Sequence, residues 1–359
     1  MRRFVISTGF LLAAFALPAV AGPVPDDVGR DIADGFARPK AAAFASAAEG
    51  MRREMAALCA APDAAALARA REGFAGLVAA WGGVSVLRFG PLPAENRFER
   101  VFFWPDARGV IVRQVQVLLA EQDESVLDAA ALAGKSVAVQ GLPALEYVLH
   151  GTGAEALATF KSLGEGGHRC RYGLAIAGNV EDIARAVQSE WAAGAAFHDT
   201  FAMPAPEHEL YRSPREVAAE AVKAMATAVQ FVRNAELLPA LGDSADKARG
   251  RRAPLWRSDL TFALAMAQID AVAALADASG FAADEAVRRP VETLRLDLVN
   301  ASAALGKIEA PAETAFAEPA DRDRIRYVTV ALDTANKTLG GALSAALGLT
   351  MGFNALDGD

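Results

Sequence analysis

Glu146 and His150 stand four residues apart in the stretch Gly141-Leu142-Pro143-Ala144-Leu145-Glu146-Tyr147-Val148-Leu149-His150. On a helix that spacing puts an acid and an imidazole on one face. Such a pair can hold a cation when a third ligand arrives from elsewhere in the fold. Upstream, Trp104, Asp106 and Arg113 supply an indole, a second acid and a guanidinium. Together with Glu146 they are expected to line a polar pocket, with Arg113 neutralising Asp106 or Glu146 through its two-pronged guanidinium. Downstream, Arg257 and Asp259 fall at an expected helix start and are placed to face the same pocket from the second half of the chain.

Each of these residues also has a structural alternative. A histidine at a helix C-terminus and an acid near a helix start both gain from the helix dipole, by about 0.3–1 kcal/mol. Asp106 and Arg113 would serve equally well as an ion pair pinning the long segment 88–108, and Asp259 as a helix cap.

Much ordinary chemistry is missing. The chain has only four histidines, His150, His168, His198 and His208. It contains no His-Glu-x-x-His zinc helix, no Gly-x-Ser-x-Gly elbow and no phosphate-cradling glycine loop.

The elements that must position these residues read as helices. The 359 residues are 53% hydrophobic but only 7% aromatic, and much of the apolar content is alanine. Alanine favours helix, and β-branched runs are few. Phe44, Ala48, Met51, Met55 and Leu58 recur at helical spacing, and so do Leu67, Phe74, Leu77, Val78 and Trp81. Two such stripes, broken at Pro62-Asp63, predict an antiparallel hairpin. Residues 22–38 read as a loose lead-in, and 88–108 as a long ordered loop. Ser213-Pro214-Arg215-Glu216 carries a cap, a first-turn proline and an acid at the third position. A helix is expected from about Trp256 to Ala278. The fold class is therefore all-α, with about four helices in each half, as in two related bundles. The prolines between 201 and 214 place a boundary, giving an N-terminal domain at 22–203 and a C-terminal domain at 204–359.

Residues 1–21 have the form of a cleaved secretion signal: Arg2 and Arg3, an apolar run from Phe4 to Leu17, then Ala19-Val20-Ala21. Export makes a bridge between Cys59 and Cys170 the favoured state, with two buried thiols as the alternative. A formal charge of −8 argues against nucleic acid as a partner. The uncharged run from Thr338 to Leu356 is too rich in Gly, Ser, Thr and Asn for a membrane span, so it is expected to close the fold as a buried helix and tail.

Phe103-Trp104-Pro105-Asp106, Arg113-Gln114-Val115-Gln116, the Gly141 to Leu149 stretch and Trp256-Arg257-Ser258-Asp259-Leu260 occur in this order. In them, and in the ending Gly352-Phe353-Asn354-Ala355-Leu356-Asp357-Gly358-Asp359, the chain resembles the imelysin family. The resemblance implies an all-α fold of two helical bundles related by pseudo-duplication, export to the periplasm and a link to iron uptake. It also implies a class assignment among metallopeptidases. The family motif is Gly-x-His-x-x-Glu. Gly141 and Glu146 match it, but Pro143 stands at the histidine position and offers no metal donor. The expected function is accordingly non-catalytic binding of a ligand or metal species, iron or another divalent metal included, at the domain junction. The alternatives are a metallopeptidase in which His150 substitutes for the missing ligand, and a scaffold that docks on a membrane transport partner.

Overall fold

The computed structural model describes residues 24–161 and 165–349. The expected signal at 1–21, and the part of the expected closing segment and ending from residue 350 onward, lie outside the described residues. Among the described residues there is no strand, as the alanine-rich composition predicts. Nine helices carry the architecture: α1 (Arg38–Ala60), α2 (Ala64–Val84), α3 (Val110–Glu121), α4 (Gly141–His150), α5 (Glu165–Glu190), α6 (Pro214–Phe231), α7 (Thr261–Ala278), α8 (Glu285–Leu305) and α9 (Pro319–Lys337).

The sequence stripes become the core. Phe44, Met51, Met55 and Leu58 of α1 face Leu67, Phe74, Leu77 and Trp81 of α2, all buried. Each such side chain contributes about 1.5–3 kcal/mol by leaving water. The hairpin turns where expected, because the Asp63 carboxylate accepts the Ala66 amide at 2.6 Å and so starts α2. α1 also packs on α5, while α4 lies against both α5 and α2, closing a ring of four. A second ring forms where α7 packs on α6 and α8, and α9 on α8 and α6. α6 starts at the predicted cap: Ser213 accepts the Glu216 amide at 3.4 Å, and Glu216 returns to the Arg212 amide at 2.7 Å.

The rings meet along α2 and α7. A methyl group on Gly82 would come within 2.6 Å of the Ala267 Cβ, so the missing side chain lets the two helices approach. α7 is apolar and long enough to cross a membrane, but here it is a core helix with Leu264, Ile269, Val272 and Leu275 buried. Cys59, at the end of α1, is bonded to Cys170 in α5, with their Cα atoms 5.6 Å apart.

Several expectations shift in detail. Residues 24–38 are not a loose lead-in: helix begins at Val28, and Ile32, Phe36 and Phe44 share one buried face. The 88–108 segment holds a short helix, Arg97–Val101, because Phe98 and Val101 pack inward. α7 starts at Thr261 rather than at Trp256, so Arg257 and Asp259 sit in the turn before it. In the closing segment Leu339, Leu343 and Leu347 are fully buried.

Candidate functional site

α4 is set at its first residue. Gly141 has φ +76°, and a Cβ there would lie 2.3 Å from the Val101 carbonyl oxygen. Only glycine allows the helix start to press against the chain that leads into Phe102-Phe103-Trp104. Gly141 is thus a positioning residue. Pro143 occupies the first turn, where its missing amide proton is not needed. The turn that follows carries Glu146 into the interior at 3% exposure.

The acid reaches across to the second half of the chain. Its Oε1 accepts the Ser258 amide at 3.0 Å and the Ser258 hydroxyl at 2.9 Å. Its Oε2 lies 4.0 Å from the Arg257 guanidinium. Burial pushes the Glu146 carboxyl above the ordinary carboxylate range, while the Ser258 donors and Arg257 pull it back. Arg257 also stacks on Trp256, 4.4 Å from the ring centre, and sits 5.5 Å from the Tyr147 ring. Arg251 lies 5.2 Å from the same Trp256 ring and pairs with Glu313 at 2.5 Å.

These groups surround a cavity of about 400 Å³, lined from the first half by Trp104, Asp106, Arg113, Gln116, Pro143 and Glu146. Arg251, Leu255, Trp256 and Arg257 close it from the second half. The Trp104 indole donates to the Ala235 carbonyl at 2.9 Å, which fixes one wall. Gln116 donates to the Tyr147 hydroxyl at 2.9 Å.

The remaining predicted residues separate into those at the cavity and those away from it. The two Asp106 oxygens accept the Val110 and Ile111 amides at 2.7 and 2.9 Å, so this acid holds the start of α3. Arg113 lines the cavity from the exposed side of α3 and forms no ion pair with Asp106 or Glu146; Arg257 is the guanidinium that faces Glu146. Asp259, at φ +59°, accepts the Ala312 amide at 2.7 Å and starts the short helix Ala312–Ala315. His150 packs 6.0 Å from the Phe74 ring, beside Arg71 and Glu155. Glu146 and His150 thus meet different elements despite their spacing. Ser258, Arg251 and Trp256 were not singled out from the sequence as site residues, although two of them belong to the Trp256-Arg257-Ser258 run. A serine in a turn carries no signal of its own until its partner is known.

The donor set does not fit a bare metal ion. One Glu146 oxygen is taken by Ser258, the other faces a cation, and Pro143 has no donor. Among the described residues no group of three or more His, Cys, Asp and Glu is placed to ligate a metal.

Comparison with known proteins gives a consistent picture. The family model described as Imelysin (Peptidase_M75) matches residues 37–339. No curated protein matches the chain. Among solved structures, an imelysin-like protein from Psychrobacter arcticum is 20% identical, with a TM-score of 0.71 over 93% of this chain and 100% of that one. A protein from Parabacteroides distasonis named as an iron-regulated protein A precursor is 13% identical, with a TM-score of 0.74 over 91% of this chain and 97% of that one.

Proposed function

The chain belongs to the imelysin family, and on that premise we propose that it is an exported, non-catalytic protein that binds a ligand at the junction of its two bundles in the service of iron uptake. The observation that carries this reading is the cavity itself. It is built from both halves of the chain, and Glu146, the motif acid, is its buried link between them. Junctions of this kind are favoured ligand sites. Export is supported by the signal-like start, by the disulfide and by the precursor name of the Parabacteroides protein. The iron connection is supported by that same name and by the family. The metallopeptidase alternative has less support, because its metal would need a ligand that neither Pro143 nor the distant His150 supplies.

Trp104 and Trp256 both line the cavity, so the test is fluorescence and calorimetric titration with ferric citrate, ferrous ion and zinc ion. A saturable response that Trp256→Phe diminishes is expected. If none of these probes changes the emission or gives heat, the reading fails.

A further inference from the structure

Resting on the junction as the binding site, we propose that its ligand is an anion presenting carboxylate oxygens, free or chelating a metal, and not a bare cation. The charges around the cavity lead there. Three guanidinium groups line it, from Arg113, Arg251 and Arg257, against two acids, Asp106 and Glu146. The acids are already satisfied. Asp106 spends both oxygens on the α3 amides. Glu146 takes two Ser258 donors and is shifted towards its neutral form by burial. The cations are not all satisfied. Arg251 is matched by Glu313. Arg257 stacks on Trp256 and approaches Glu146 only to 4.0 Å, beyond hydrogen-bond reach. Arg113 has no acidic partner among the described residues.

Among the lining groups three guanidiniums stand against two carboxyls, and the two planar forks with no carboxylate within hydrogen-bond reach are those of Arg113 and Arg257. Such forks match carboxylate geometry with paired hydrogen bonds. A metal ion entering alone would meet Arg257 at the only acid it could use, and Coulomb repulsion opposes it. An anion would be drawn to the same groups, with the Trp104 and Trp256 rings as apolar walls and the Gln116–Tyr147 pair as neutral polar contacts. A ferric ion wrapped in carboxylates meets these requirements, as does the free polycarboxylate.

Calorimetry on the full chain at low ionic strength, with tryptophan emission read alongside, tests this. The probes are sodium citrate, ferric citrate, inorganic phosphate, and zinc and ferrous ions without a chelating anion. Citrate or its ferric complex is expected to bind, more weakly as salt is raised. Arg113→Gln and Arg257→Gln should each weaken it about 10–100-fold, the worth of a charged hydrogen bond. The ratio of citrate to ferric citrate affinity separates the free anion from the chelate. Arg113 is exposed, so Arg113→Gln keeps the test sound even if the Arg257 variant unfolds. Zinc or ferrous ion binding at the tryptophan-lined cavity, unharmed by Arg113→Gln and with citrate inert, would overturn the anion proposal and leave the junction site standing. Phosphate outcompeting citrate would also overturn it. No response to any probe would remove both.

Discussion

Glu146 Oε1 receives both the amide and the hydroxyl of Ser258, at 3.0 and 2.9 Å, from a residue 112 positions later in the chain. An acid with 3% exposure is thereby held by the turn that precedes α7, so the geometry of the cavity and the docking of the two halves are coupled. Ser258→Ala keeps the amide contact and should cost about 0.5–1.5 kcal/mol of stability. Glu146→Ala strands the Ser258 amide and removes the acid 4.0 Å from Arg257, at a cost of about 1–3 kcal/mol. Urea denaturation of both single variants and the double variant forms the check. Strictly additive losses would mean that the two residues do not act as a pair.

The bond between Cys59 and Cys170 spans a sequence separation of 111. Closing a loop of that size restricts the unfolded chain by about 4–5 kcal/mol in the chain-entropy account. Cys59→Ser with Cys170→Ser should lower the melting temperature, and a reductant should lower that of the parent but not of the double variant. Equal melting of the reduced and oxidised parent would show that the bridge does not contribute.

The helical scaffold was legible in the sequence because it depends on local chemistry. Phe44, Met51, Leu58, Phe74 and Trp81 fall on buried faces at helical spacing, and Asp63 and Ser213 start the helices that they were expected to start. The site was less legible, because its links are long-range. Glu146 contacts the second half of the chain through Ser258. Its partners Ser258 and Arg257 could not be chosen over Arg113 by spacing, since a contact across more than a hundred residues leaves no periodic trace. Asp106 and Asp259 show the converse. Each is an acid near a helix start that accepts backbone amides, Asp106 at the start of α3 and Asp259 at the distant Ala312. Residues 28–37 carried their helical stripe in Ile32 and Phe36, which the expectation of a loose lead-in passed over.

Two groups, a half-buried histidine and a buried glutamate, shift stability with pH in opposite senses. His150, beside Phe74 and Arg71, is lowered from 6.5 to about 4 by burial first and by the Arg71 charge second. The fold favours its neutral form, so its contribution is complete above pH 6.5 and is lost as pH falls towards 4. Glu236, fully buried against Gln268 and facing Arg88, is raised from 4.5 to about 7 by burial. Its contribution is complete below pH 4.5 and is lost as pH rises to 7. Relative to the parent, His150→Phe should gain stability on acidification, by about 1–2 kcal/mol once solvent screening of a partly exposed ring is allowed for. Glu236→Gln should gain as pH rises through the same window, by at most about 3 kcal/mol. Thermal melts at half-unit pH steps decide the matter, and parallel curves for parent and variants would refute both assignments.

Pro143→His restores the histidine of the Gly-x-His-x-x-Glu motif, three residues before Glu146 on the same face of α4 and at the wall of the cavity. A histidine and a glutamate so placed can chelate one metal ion. Arg257 still stands 4.0 Å from the acid, however, and Ser258 still engages its other oxygen. The single substitution is therefore expected to raise zinc affinity only slightly. Combining it with Arg257→Gln removes the nearest positive charge and should improve zinc binding by a further factor of about 10–100, the range that a screened charge at this separation allows. A competition titration against a chromophoric zinc chelator measures both steps. If Pro143→His alone binds zinc as tightly as the double variant does, Arg257 does not control which charge the cavity accepts, and the electrostatic account of the site is wrong.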